Sequence, residues 1–225
     1  VEYEEIIKAL KSHSNPKNVA GMARFGINSK NTLGVSIPLL RKIAKESGKN
    51  HTLAGELWAS GIHEARILAS YVEEPASVSE KQMDSWVKDF DSWDVCDQVC
   101  SSLFDKTPFA HRKAAEWSRR KEEFVKRAGF AMMAALAVHD KQADDAAFLK
   151  FLPIIKREAA DERNFVRKAV NWALRQIGKR NKRLNTAAIK AAKEIEKLDS
   201  KAAKWIAKDA LRELRSSAVQ KRIKS

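Results

Sequence analysis

Amphipathic periodicity runs almost without interruption through this chain and leaves room for little but helices. Apolar residues recur at three- and four-residue spacing in successive segments over 2–12, 16–28, 36–47, 52–59, 62–72, 77–89, 92–105, 108–120, 122–138, 142–157, 162–178, 183–197 and 200–216. No segment shows the alternation of a strand. With 8 Gly and 5 Pro in 225 residues, the chain lacks the turn formers that an all-β protein consumes. Ser36 before Pro38, and Asp91-Ser92 before Trp93, are expected helix starts, while Gly48 and Gly178 stand where helices should stop. No apolar run approaches the roughly 20 residues needed to span a bilayer. The acidic start, Val1 to Glu5, lacks the apolar core of a signal peptide, so a cytoplasmic protein without a membrane partner is expected.

An internal echo points to repetition. Phe124-Val125-Lys126-Arg127-Ala128 returns as Phe165-Val166-Arg167-Lys168-Ala169, about 41 positions on, and more faintly around Trp205-Ile206-Ala207-Lys208. This lies in the 40–47-residue period of HEAT-type helix pairs. The expected fold is therefore all-α, an α-solenoid of HEAT-like antiparallel helix pairs whose stack presents a concave basic face. Residues 1–216 are expected to form a single domain, with 217–225 a disordered basic tail. Charge supports the basic face. Of the +14 net charge, +13 lies in residues 156–225, where 21 Lys and Arg meet 8 Asp and Glu. Such concentration fits a polyanionic partner bound in a salt-sensitive way, and also fits an acidic protein partner.

Helical geometry leaves a few residues without a core role. In 162–178, Val166, Ala169, Val170, Ala173 and Ile177 form the apolar stripe, and Lys168, Trp172, Arg175 and Lys179 gather on the opposite side. Trp172 is either covered by a second layer or exposed among cations on a nucleic-acid surface. In the helix after Ser92, Val95, Cys96, Val99 and Leu103 are the apolar side, while Trp93, Asp97 and Ser101 follow one another at four-residue spacing. Asp94 sits in the first turn, where the helix dipole favours it. Arg127 flanks its stripe, and geometry is consistent both with snorkelling to water and with pointing into a concave face. Cys96 and Cys100, four apart, read as buried packing thiols, and no set of residues has metal-ligand spacing.

At these residues the chain resembles the AlkD-like family of DNA alkylation-repair glycosylases, built from HEAT-like repeats. The resemblance covers roughly 16–216. It rests on Met22-Ala23-Arg24-Phe25 with Leu33-Gly34-Val35-Ser36-Ile37-Pro38 and Arg41, on Ser92-Trp93-Asp94-Val95-Cys96-Asp97, and on Phe165 through Arg175. It implies that Asp97 is the catalytic carboxylate and that Trp93 and Trp172 frame the lesion-bearing deoxyribose. Arg127 would contact the backbone near the lesion. Phe25 stands where relatives commonly carry a tyrosine, so stacking survives there and a hydroxyl bond does not. Arg41, Lys168, Arg175 and Lys179 complete the expected DNA contacts.

The function implied is excision, without cofactor or metal, of N3- or N7-alkylated purines from double-stranded DNA by a monomer. The resemblance also implies work on the sugar while the base stays stacked. No nucleophilic lysine belongs to the constellation, so no lyase activity is expected. The alternatives are a family member that binds DNA without excising bases, and a helical scaffold for an acidic protein.

Overall fold

The computed structural model describes residues 2–224, and among these there are helices and turns but no strand. The chain divides into two compact units between Thr107 and Pro108, where a single domain was expected.

The first unit holds α1 (Tyr3–Ser12), α2 (Pro16–Arg24), α3 (Ile37–Ser47), α4 (His51–Ala59), α5 (His63–Val72), α6 (Glu80–Trp86) and α7 (Trp93–Ser102). Caps follow the sequence. The Asn15 side chain accepts from the amides of Lys17 and Asn18, Asn50 from Leu53, and Ser79 from Gln82. Gly48 ends α3 at φ 71°, a conformation open to glycine. Helices α3 and α7 both pack on α5. Apart from them, Trp58 of α4 stacks on Trp86 of α6 at 4.1 Å with the rings 2° from parallel, and Phe90 and Phe104 close that cluster. Partners here recur about 31 residues apart: Trp58 Nε1 donates to Asp89, His63 pairs with Asp94, and Glu64 accepts from Leu33.

Helix α2 is the exception in this unit. Capped by Asn15 and begun by Pro16, it nevertheless seats none of its residues in the core. Gly21, inside the helix, does not have a positive φ, and a Cβ placed there would meet nothing within 4 Å. Glycine at such a position weakens a helix by about 1 kcal/mol relative to alanine.

The second unit holds α8 (Ala110–Trp117), α9 (Glu123–His139), α10 (Asp145–Leu149), α11 (Phe151–Glu158), α12 (Asn164–Gly178), α13 (Lys182–Glu196), α14 (Lys201–Leu214) and α15 (Ser217–Lys224). Here α12 lies against both α9 and α14. The echo seen in the sequence becomes contact, with the rings of Phe124 and Phe165 5.6 Å apart and Arg167 lying 5.1 Å over Trp205. Several ties between these helices join residues 38 apart: Arg127 to the carbonyl of Phe165, Asn171 to Asp209, Arg175 to Glu213, Lys156 to Glu194.

Glycine serves packing in this unit. A Cβ on Gly129 would come within 2.5–2.9 Å of Ser118 and Ala114 backbone, and one on Gly178 within 2.9 Å of Leu214 and Ala188. Gly178 thus lets α14 approach α12, and the residue that follows the helix is Lys179 in a right-handed conformation.

Residues 217–224, expected as a disordered tail, are helical. Val219 is buried, and the Gln220 side chain donates to the Leu214 carbonyl and to Asn185 Oδ1. The basic character of the segment had suggested a tail, whereas Val219 and Gln220 tie it to the residues before it.

Candidate active site and DNA-contacting residues

The rotation of α7 is set by what it buries. Val95, Cys96, Val99 and Cys100 face inward, and neither cysteine is in a disulfide. Burial, with Cys96 close by, pushes the Cys100 thiol well above its usual range, so it behaves as an inert packing group. This leaves Trp93, Asp94, Asp97 and Gln98 half-buried along the rest of the helix. Asp97 follows Trp93 by one turn, and the two share a face.

The start of α7 is tied to the 25–35 loop rather than capped. Ser92, extended at φ −149°, makes no side-chain cap bond; its hydroxyl accepts from Asn28 N at 2.8 Å. Asn28 Nδ2 in turn donates to Asp91 at 2.8 Å. The Trp93 indole N–H donates to the Phe25 carbonyl at 3.0 Å, which fixes the ring against the end of α2. Phe25 itself is 74% exposed, the largest such exposure among the hydrophobic side chains described.

Two acids near this point have structural employment that the sequence did not disclose. Asp94, expected only to favour the helix dipole, accepts at 2.7 Å from His63 Nε2. Burial lowers the basicity of His63, but its bond to Asp94 and the charges of Asp94, Glu64 and Asp91 outweigh that and leave its pKa raised. Glu64 is buried and accepts from the amides of Leu33, Gly34 and Val35 at 2.9, 2.6 and 3.3 Å, pinning the loop that leads into α3. Nothing short of the 31-residue offset foreshadows either role.

Arg41, on α3, is exposed and lies 5.9 Å over the Tyr71 ring. The Tyr71 hydroxyl donates to Gln98 Oε1 at 2.6 Å, and burial pushes its pKa up, partly offset by Arg41. Beside α2 lies an open cleft of about 660 Å³, lined by residues of α2, the 25–37 segment and the first two turns of α5 and α7. Trp93 and Phe25 belong to its lining, as do His63, Glu64, Asp94 and Gln98; Asp97 does not.

In the second unit, burial of Val166, Ala169, Val170, Ala173, Leu174 and Ile177 orients α12. Lys168 is exposed and Trp172 half-buried. Arg175 and Lys179 both reach Glu213 of α14, Lys179 at 2.6 Å, and Arg175 also lies 3.7 Å from Asp209. Burial alone would raise the pKa of Glu213; its bonds to Lys179 and Arg175 reverse this and hold it low. Arg127 is only 6% exposed, and its guanidinium donates at 2.6 Å to the Phe165 carbonyl. It braces α9 against α12, where helical geometry had offered snorkelling to water or a place on the concave face. Exposed lysines remain plentiful on α13 and α14, among them Lys182, Lys190, Lys193, Lys201 and Lys208.

Helices tied to one another at near-constant offsets define a helical-repeat protein of the HEAT-like type. A solved structure shares this fold at a TM-score of 0.78 and 21% identity, covering 94% of this chain and 95% of that one. It is described as a new family of proteins related to the HEAT-like repeat DNA glycosylases with affinity for branched DNA structures. Two designed chains also match. One is an engineered protein (TM-score 0.39, 13% identity, 96% and 100% covered) and the other a designed armadillo repeat protein in complex with a (KR)4 peptide (TM-score 0.36, 14% identity, 82% and 88% covered). No curated protein matches the chain. The family model described as DNA alkylation repair enzyme matches residues 6–214, nearly the whole sequence, and the chain belongs to that family. Among the described residues no helix is long and apolar enough to cross a membrane.

Proposed function

We propose that the protein is a monofunctional DNA glycosylase that hydrolyses the N-glycosidic bond of cationic N3- or N7-alkylated purines in duplex DNA. The observation that carries this reading is the fixed Trp93 indole with the Asp97 carboxylate one turn behind it on the same face of α7. An alkylated purine already bears positive charge, so it leaves as a neutral base with the electrons of the broken C–N bond and needs no general acid. What remains to be stabilised is the oxocarbenium-like sugar. Asp97 supplies the negative charge, and the indole face of Trp93 favours the developing cation. Water then adds to C1′, and Asp97 accepts its proton. Trp172 carries over from the resemblance as a second aromatic for the deoxyribose, with Phe25, Arg41 and Lys168 as DNA contacts.

The test is release of 3-methyladenine or 7-methylguanine from methylated duplex by the wild type and by Asp97→Asn. A drop on the order of 100-fold in the variant, with duplex binding unchanged, is expected. Equal release by both removes Asp97 from the mechanism.

A second reading, DNA binding without excision, is favoured by the employment of Arg127, Arg175 and Lys179 in internal bonds. The structural relative's described affinity for branched DNA points the same way. Under it, the wild type releases no base and prefers a four-way junction to linear duplex.

A further inference from the structure

Several long cations of the second unit end on a carboxylate. Lys126 meets Glu158, Lys156 meets Glu194, and Lys179 meets Glu213. Arg180, in the turn between α12 and α13, does not. It is half-buried, donates to the carbonyls of Ala137 at 3.1 Å and Ala143 at 3.0 Å, and lies 4.3 Å over the Phe148 ring. Among the described residues it makes no ion pair. These contacts hold the guanidinium in place, but carbonyls and a ring face bear no net charge to neutralise it.

Other cations gather where Arg180 is held. Arg180 and Ala137 line a recess of about 280 Å³ together with Lys141 from the segment after α9, Lys179, and Arg222 of α15. No aspartate or glutamate is in that wall. The Lys179 amine is drawn off to Glu213, whereas Lys141 is exposed and has no hydrogen-bond or ion-pair partner among the described residues. Like charges brought together without an acid repel one another, and a bound anion turns that repulsion into attraction. Size narrows the choice of anion. The volume falls just under the range of pockets for drug-sized ligands, about 300–1,000 Å³, and suits a compact oxyanion better than a whole nucleotide. The donor fork of an arginine matches phosphate oxygens in particular.

We propose that this recess is a phosphate-binding site, in which Arg180, flanked by Lys141 and Arg222, holds one phosphate group. It stands apart from the excision reading, since none of these residues is asked to act on the sugar. Inorganic phosphate and a phosphate of a DNA strand present the same kind of oxygens, and the experiment separates the two sources.

The experiment follows the Arg180 side-chain N–H resonance of the isotope-labelled chain during titration with inorganic phosphate, ionic strength being held constant with sodium chloride. A saturable shift is expected, with Kd on the order of 1 mM. Lys141→Ala and Arg222→Ala change exposed side chains, and each should weaken binding about threefold. Val138, 39% exposed in the same wall, gives a variant that leaves every cation in place. Val138→Glu sets a carboxylate there and should abolish phosphate binding, with thermal unfolding showing an intact fold. A short unmodified duplex is the second titrant. If a DNA strand is the source, the duplex moves the Arg180 resonance and inorganic phosphate competes with it; if free phosphate is the source, phosphate alone moves it. Either pattern supports the site. Absence of a saturable shift with both titrants, or a phosphate affinity unchanged in Val138→Glu, overturns the proposal.

Discussion

The two units solve the same problem, joining helices of one repeat to those of the next, with different chemistry. In the first, the ties are short and mostly neutral or singly charged: a tryptophan on Asp89, a histidine on Asp94, a buried glutamate on three backbone amides. In the second, beside single bonds such as Asn171 to Asp209, many are ion pairs between long side chains, with Lys126 on Glu158 and Asp161, Lys156 on Glu194, and Arg175 and Lys179 on Glu213. A surplus of lysine and arginine in the last third is thus partly structural, and its whole count overstates what faces a polyanion.

The sharpest way to break this comparison uses one residue type in one conformation. Gly129 in α9 touches the backbone end of α8, whereas Gly21 in α2 touches nothing. Gly129→Ala should destabilise the protein by about 3 kcal/mol, because backbone cannot move aside as a flexible side chain would. Gly21→Ala should stabilise it by about 0.5–1 kcal/mol through helix propensity. Urea unfolding of both variants checks the signs. Two effects of the same sign would mean that the space around Gly21 and Gly129 does not differ as described.

A smaller, two-sided effect is expected from pH. His63 has a raised pKa in the folded state, so its stabilisation is complete below the unfolded value of about 6.5 and is lost as pH rises through the folded value. The facing groups are Asp94, Glu64 and Asp91. In the second unit the order reverses. Asp140 is held low by His111, and burial of Glu158, Asp161 and Glu213 is outweighed by their cationic partners. Their stabilisation is present above about pH 4 and is lost as pH falls through the depressed values. Amide-exchange protection, corrected for intrinsic rates, should fall roughly threefold in α5 and α7 between pH 5.5 and 8.5 while α12 and α14 hold. His63→Gln should abolish that response. Below pH 4 the ranking should invert.

The helices were legible because burial imposes a 3.6-residue period wherever a face meets a core, and every segment read from the sequence has a helix within it. The echo at Phe124 and Phe165 was legible for the same reason, since equivalent positions in a repeat bury equivalent rings. Employment of polar groups was not. Asp94 and Asp97 look alike in sequence, and only the approach of α5 decides that Asp94 takes His63. Arg127 and Arg175 look like surface cations until the neighbouring helix supplies a carbonyl or a carboxylate. Gly21 was mute, and Gly178, legible as a helix stop, gave no sign that its missing side chain makes room for Leu214 and Ala188. The division after Thr107 was not read as a boundary, because both units use the same helical alphabet, although the excess positive charge lies in the second.

The mildest prediction asks how far internal pairing conceals DNA-contacting charge. Glu213 holds Arg175 and Lys179 against α14, and Glu213→Gln should release both. Each cation newly able to neutralise a phosphate steepens the dependence of log K on log salt by about 0.9. The expected result is therefore a slope steeper by roughly 1 to 2 and duplex affinity raised roughly threefold at low salt. Arg41 of the first unit, exposed over Tyr71, provides the contrasting case: Arg41→Gln should shallow the slope by about 1 with no gain to offset it. If Glu213→Gln leaves the slope unchanged, Arg175 and Lys179 are braces of the α12–α14 pair alone, and the cations that grip DNA in this unit must be sought among the exposed lysines of α13 and α14.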